Sequence, residues 1–500
     1  MSLRAASALL HTTVCMLALA CTGCSLVHPV GPDYRRPEPA AVTLDAASSG
    51  AFAPSAPPDK WWQLYQEPEL DRYVSEALLE NRDLRSAASR LAIAQSSLDQ
   101  TLAQRWPTTD VSVSAERARG SLPGVPGLRV YNSVSTALSA SYEIDLFGRI
   151  RRSIEASRAD VDAQQFAFAA TQIQVAANTA SAYIGICNAN AALAAAKRTI
   201  AIDEETLMVT RRLADGGAAR RLDVTRAQAQ LESDRAAVPP LESQRSAGLY
   251  ALATLLGQPP EHYPREAALC AAPPVLEQPL PTGDGLALLR RRPDIAQAER
   301  LLAAATANIG VATANLYPQI SLGVSVGSIA STLPDSLRAS TRTWSIGPLL
   351  QWTFPNQEIG RAQLRQAGST ADLAMTTYQN TMLVALKETE TALVSYAREL
   401  DHRDLLHRAR NDSQAAFEQS KRLYRQGVAS FLDLLSAQKA LALVDQQLVA
   451  SSSAVATDQV AVFLALGGGW SDAARNAAEQ AKRAEDTRRL HAVAAQSLPR

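Results

Sequence analysis

The stretch LLRRRPDIAQAERLLAAATANIGVATANLYPQISLGVSVG, Leu288 to Gly327, decides the fold. A basic turn, Arg290-Arg291-Arg292-Pro293, opens a helix that meets no Pro or Gly until Gly310 and runs out at Tyr317-Pro318. The chain then alternates. Ile320, Leu322, Val324 and Val326 fall on one face and Ser or Gly on the other, which is the period of a strand. The stretch NRDLRSAASRLAIAQSSLDQTLAQRWPTTDVSVSA, Asn81 to Ala115, makes the same change of period. Asp83 and Asp294, like Pro107 and Pro318, stand 211 apart; Gly148 and Gly360 stand 212 apart. Gly217 and Gly427, Asp223 and Asp433, and Gly257 and Gly467 stand 210 apart. So constant a register marks an internal duplication of one unit that alternates long helices with short strands.

The rest of the chain is read outward from that duplication. With 49 basic and 49 acidic residues among 500, the net charge is zero, and no basic stripe interleaves with aromatics. A nucleic-acid surface is therefore not expected. Residues 1–23 read as a secretory signal, with Arg4 as the positive region and Ala8 to Ala20 as the apolar one. A stretch of thirteen residues is too short to span a bilayer, which takes roughly twenty. Thr22-Gly23-Cys24 then has the form of a lipoprotein cleavage site with Cys24 acylated, and Cys21 is the alternative. Cys187 and Cys270 fall in a helix and a Pro-rich segment without metal-ligand spacing, and are read as unpaired or buried, with no disulfide framework.

Residues 24–60 carry enough proline to exclude helix and predict an extended arm. The first repeat, 61–257, begins with a helix at Trp61-Trp62. Strands are expected at about 109–119 and 134–147, separated by a Gly/Pro loop over 120–127. The second strand is apolar on one side (Val134, Leu138, Tyr142, Ile144) and mostly Ser on the other. Such a strand fits either an amphipathic barrel wall or a half-buried soluble sandwich. Arg151 to Leu213 contains no Pro and one Gly, enough for a helix of about 95 Å. That length suits a coiled coil or helical tube rather than a globule. A Pro-rich linker, 258–285, leads to the second repeat, 286–470, with strands expected at about 319–328 and 342–354. The tail, 471–500, is charged and alanine-rich.

Catalytic signatures are scarce. Gly323-Val324-Ser325-Val326-Gly327 spells G-x-S-x-G inside an alternating strand, where a nucleophile needs a sharp strand-to-helix turn. No phosphate loop or H-E-x-x-H occurs. Neither an enzyme activity nor a cofactor is expected, apart from the covalent N-terminal lipid. The turns RLADGGAARRLDVTRAQAQL (Arg212 to Leu231) and RLYRQGVASFLDLLSAQKAL (Arg422 to Leu441) each place an Asp six residues after a Gly. That Asp serves either as a helix-start acid favoured by the dipole or, in a tube of several protomers, as part of a charged ring.

Four motifs carry a family resemblance. They are the Cys24 site with Val30-Gly-Pro-Asp-Tyr-x-Arg-Pro37; Glu143-x-Asp145-x-Phe147-Gly148-Arg149; Leu288-Leu-Arg-Arg-Arg-Pro-Asp294-Ile295 with Ala298-Glu299; and the paired Gly-turn-Asp segments. On these the chain resembles the outer-membrane factor family, the TolC-like channels, in its NodT-type lipoprotein branch. The resemblance implies an α+β membrane protein, internally duplicated, with a long α-helical periplasmic barrel. It also implies a homotrimer in which four strands per chain build one 12-stranded transmembrane β-barrel.

Gate residues carried over by position are Asp223, Tyr424, Leu432 and Asp433. The turns at Gly216, Gly217, Arg220, Arg425 and Gly427 would meet a periplasmic adaptor (membrane fusion) protein. Asp145, Gly148 and Gly360 would form the strand–helix motif. Ser436 and Arg226 depart from the family's second acidic positions. The expected partners are the adaptor, an inner-membrane pump and outer-membrane lipid. The expected role is a passive efflux duct for drugs, toxic small molecules or metal ions. The exit channel of type I protein secretion and a periplasmic structural or adaptor lipoprotein are the alternatives.

Overall fold

A computed structural model describes residues 29–37, 44–46, 49–122, 125–276, 279–283 and 291–468. The signal segment, both candidate acylation cysteines (Cys24 and Cys21), Leu288 to Arg290 and the 471–500 tail lie outside the described residues. The chain divides into two compact units, and the two longest helices pass from one into the other.

The first unit comprises residues 1–38, 90–165 and 297–379. It holds one antiparallel sheet of β2 (Thr108–Leu122), β3 (Val125–Ile144), β5 (Gln319–Ala330) and β6 (Arg342–Gln351), in the order β2-β3-β5-β6. The register sets like residues side by side. Val111, Leu138, Val326 and Trp344 form one cross-strand row; the next row is Asp110, Ser139, Ser325 and Ser345. No described residue covers the apolar row, with Val111 74%, Leu138 55%, Val326 57% and Trp344 76% exposed. A sandwich would bury that face under a second sheet. The soluble-sandwich alternative therefore fails.

The hairpin differs from the expectation. β3 begins at Val125 instead of Val134, and the Gly/Pro segment extends the pairing as far as Leu122↔Val125. The cause is strand order. Below Val134, β3 pairs with β2 alone, and the register shift between Ser121 and Leu122 leaves Pro126 without a partner on β2 as well, so its missing N–H breaks no ladder.

The helical part of this unit comes from α2 (Arg82–Ala103), α3 (Arg149–Asp215), α6 (Pro293–Ala314) and α7 (Glu358–Arg425). Aromatic residues collect where strands meet helices. Phe147 stacks on Tyr317 at 4.6 Å, Trp352 stacks on Phe354 at 4.6 Å, and Trp106 is 73% exposed. Residues 29–37 form neither helix nor strand and bend at Val30-Gly31, where Gly31 has φ +91°.

The second unit comprises residues 39–89, 166–296 and 380–500. It contains a short 3₁₀ turn (Trp61–Tyr65), α1 (Pro68–Glu80), α4 (Arg221–Arg235), α5 (Val238–Leu255), α8 (Phe431–Ala465) and the remainders of α3 and α7. Trp61 therefore starts a 3₁₀ turn, and the α-helix begins at Pro68, whose fixed φ suits a first helical position. A two-residue parallel pair, β1 (Phe52–Ala53) with β4 (Leu280–Pro281), joins arm to linker. Trp61 stacks on Phe463 at 4.9 Å in a core with Leu70, Tyr73, Tyr183 and Leu252.

Here a second expectation is corrected. Cys187 and Cys270 form a disulfide, with Cα atoms 5.0 Å apart across 83 residues. The linker folds back on α3, where Asn190 Nδ2 donates to the carbonyls of Ala268 (3.0 Å) and Cys270 (2.7 Å). That fold-back brings the thiols together, and sequence spacing carries no sign of it. Such a bond suits an oxidising compartment.

The duplication also appears as matched fastenings. Asn81 Nδ2 donates to Leu255 O (2.9 Å), and at the equivalent place Arg292 Nη1 donates to Ala465 O (2.9 Å). Each ties the end of a repeat's last helix to the residue that precedes its helix–strand segment.

Candidate functional site

The residues singled out in sequence fall into two places, one in each unit. In the first, Asp145 closes the N-terminus of α3: its carboxylate accepts from the amides of Ile150 (3.0 Å) and Arg151 (3.1 Å). Glu143 and Arg149 form a bidentate pair at 2.9 and 2.6 Å. At Gly148, φ is +81° and an added Cβ would lie 2.5 Å from Pro29 Cβ, so only glycine admits the arm there. At Gly360 a Cβ would meet Leu316 Cδ2 at 2.7 Å. The arm is held further by Arg152, which donates to Asp33 (2.6 Å) and to Gly31 O (3.3 Å), and by the hydroxyl of Tyr34 on Glu299.

The second place is the pair of helix turns in the second unit. At the first, Gly217 has φ +77° and Leu213 O accepts from the amides of Ala218 (2.7 Å) and Ala219 (3.1 Å). At the second, Gly427 has φ +74° and Leu423 O accepts from Val428 (2.9 Å) and Ala429 (3.3 Å). Both are left-handed helix stops in which glycine avoids the Cβ clash. Gly216 precedes the first stop, Arg425 the second, and Arg220 stands at the cap of the returning helix α4.

Beyond the stops the two turns differ. Ser430 and Asp433 form a reciprocal capping box: Asp433 N donates to Ser430 Oγ (3.2 Å) and Asp433 accepts from Ser430 N (3.0 Å). The Ser430 hydroxyl, donating to the Asp433 carboxylate at 2.7 Å, and then the Ser430 amide hold that carboxyl below its usual range. Tyr424 is buried against Phe431, ring centroids 6.0 Å apart, with its hydroxyl 3.5 Å from Thr210 Oγ1. Leu432 is exposed. On α4, by contrast, Arg220 supplies no side-chain cap, and the Asp223 carboxylate lies 3.7 Å from Arg226. Within one chain the structure brings Tyr424 to Phe431. Each aspartate stays in the first turn of its own helix, and no described contact joins Asp223 to Asp433.

Sequence reading missed a polar set just behind the turns. Asp203 is 2% exposed; it accepts from Gln438 Nε2, while Thr206 Oγ1 donates to Gln438 Oε1 at 3.0 Å. Burial, and then the neighbouring Asp234 carboxyl, push Asp203 up to about 8. Glu205 takes Lys421 at 2.7 Å and also pairs with Arg425. The signal that could have found this set is the spacing of Asp203, Thr206 and Thr210, which puts three polar residues on one α3 face. Among the described residues no group of three or more His, Cys, Asp or Glu is placed to hold a metal ion.

Comparison with known proteins places this geometry. The Toluene efflux pump outer membrane protein TtgC of Pseudomonas putida is 30% identical over 498 residues, covering 94% of this chain and 98% of that protein. Nodulation protein T of Rhizobium leguminosarum bv. viciae is 30% identical over 464 residues, covering 91% and 92%. The solved outer-membrane channel OprN superposes with a TM-score of 0.84 at 35% identity, over 88% of this chain and 99% of that one. The family model described as Outer membrane efflux protein matches residues 73–258 and 287–468, one span in each half of the duplication. The chain belongs to the outer membrane efflux protein family.

Proposed function

We propose that three copies of this chain form a passive export duct, the outer-membrane component of a tripartite efflux system. The observation that carries this reading is the four-stranded sheet whose apolar rows are exposed and whose edges, β2 and β6, are unpaired among the described residues. Bare edges and exposed aliphatic rows are unstable in water, and unpaired edges are equally so in lipid; closure with other copies removes both problems. Three copies give twelve strands, with the long helices continuing as a periplasmic tube. Members of the family are channel proteins, and this role calls for no catalytic residue. Acylation at Cys24 would add a second hold on the membrane.

In this reading the helix turns meet the adaptor, and Asp223, Tyr424, Leu432 and Asp433 narrow the periplasmic end. Toluene is named for TtgC, and cations for the related Cation efflux system protein CusC of Escherichia coli. The cargo proposed for this duct is accordingly small toxic molecules or metal ions, selected by the pump.

Two measurements test the reading. A Cys24→Ser variant is expected to remain a heat-modifiable, detergent-resistant trimer, and a monomeric soluble product would refute the barrel. In planar bilayers Asp223→Ala with Asp433→Ala should raise single-channel conductance. Ser430→Ala, which removes the cap and keeps the charge, should not. Equal conductance in the double variant and the parent would reject the aspartates as a gate.

A further inference from the structure

The first unit contains a cavity of about 380 Å³ that the export reading does not use. Its wall includes Tyr34 of the arm and four arginines, Arg105, Arg151, Arg158 and Arg300, against two carboxylates, Glu155 and Asp162. Most of these charges are already engaged. Arg151 lies 3.2 Å from Asp145, Arg300 pairs with Glu299 and lies 4.0 Å from Asp162, and Glu155 takes Arg152 at 2.8 Å. Among the described residues, Arg105 and Arg158 take part in no ion pair. The cavity thus holds two guanidinium groups outside any ion pair, a combination suited to one phosphate.

Its position says where such a phosphate would come from. Arg105 directly precedes Trp106, and Arg151 stands two residues into α3. Both are therefore level with the aromatic residues at the helix-side ends of the strands, Trp106, Phe147, Tyr317, Trp352 and Phe354. An aromatic girdle marks the membrane–water boundary of a barrel, and the headgroup layer beyond it is about 5–8 Å thick. Arg158 lies nine residues past the start of α3, about 13 Å along the axis. Side chains on a helix tilt toward its N-terminus, so the long Arg158 side chain reaches back toward that layer.

We infer that this cavity binds the phosphodiester of an anionic phospholipid in the periplasmic leaflet, through Arg105 and Arg158. The inference rests on the barrel reading above. Free phosphate has the same chemistry, and the test separates the two.

The purified full-length trimer would be examined by native mass spectrometry with added phosphatidylglycerol or phosphatidylcholine. Phosphatidylglycerol should be retained in clear excess. Arg105→Gln with Arg158→Gln should lower its affinity about thirtyfold. The matched control, Arg361→Gln with Arg365→Gln, removes equal charge at a similar distance from the strands in the second repeat and should leave retention unchanged. Equal retention of both lipids, an undiminished signal in the double variant, or an equal loss in the control would overturn the site. Displacement of the lipid by inorganic phosphate at comparable concentration would overturn the lipid assignment. Loss of the heat-modifiable trimer in the parent protein would instead refute the barrel, so the two failures are distinguishable.

Discussion

The two helix turns descend from one duplicated segment, yet they are fastened unequally. Both stop on a left-handed glycine with the same backbone bonds. The second repeat adds the Ser430–Asp433 box and the Tyr424–Phe431 contact, whereas the first presents Arg220 at its cap, an Asp223–Arg226 pair and an exposed Arg211–Gln228 bond. Backbone geometry is thus common to the copies, and side-chain fastening has diverged. The first-repeat turn should loosen before the second, an order that amide hydrogen exchange can read.

The largest effect is expected at Tyr424. Tyr424→Ala removes a buried ring and should cost about 3 kcal/mol locally. Amides around 423–434 would then exchange as fast as those around 213–224. Continued slow exchange at the second turn would show that the ring is not what separates the copies.

Next comes the acid behind the first turn, which has Ser413 at the equivalent place in the second repeat. The Asp203 carboxyl, pushed up to about 8 from a usual 3.8, binds its proton more tightly in the folded chain than in the unfolded one. Its contribution is therefore full below pH 3.8 and is lost as pH rises toward 8. Asp203→Asn should abolish that loss and raise the melting temperature over the parent at pH 8 while leaving it near the parent's value at low pH. An identical pH slope in the two proteins would dismiss the buried acid. Two residues on, Glu205 has the opposite sign. Lys421, through its hydrogen bond, holds the Glu205 carboxyl below the usual range, so that pair helps above about pH 4.5 and fades as pH falls. Being partly exposed, the pair contributes little.

The smallest effect exchanges the caps. Ser430→Ala should cost about 1 kcal/mol, and Arg220→Ser, with Asp223 already at the third position, should recover a similar amount at the first turn. Exchange rates at the two turns should converge in the combined variant. Divergent rates there would trace the asymmetry to something other than capping.

Much of this architecture is legible in the sequence because it is periodic. Helix-to-strand transitions at Pro107 and Pro318 and stops at Gly217 and Gly427 recur at one spacing, and repetition makes weak local signals mutually confirming. What was not legible is contact between segments remote in sequence. Cys187 and Cys270 meet only because the linker turns back, and Pro126 is tolerated because β3 outruns β5 and the β2 register shifts there. Asp203 is not legible either, because an acid inside a long helix resembles a solvated one until Gln438 and Asp234 close around it.

The Cys187–Cys270 bond has a mechanical consequence. Its loop encloses the C-terminal part of α3, all of α4 and α5, and the start of the linker, so it ties the α3 foot of the more loosely tipped hairpin to the linker that follows its other foot. The second repeat has Ala397 where the first has Cys187 and relies at its base on Arg292, which can let go and re-form. A covalent fulcrum forbids the first hairpin from sliding lengthwise. Any displacement of its free end must be a bend above the clamp, as in a cantilever fixed at the wall.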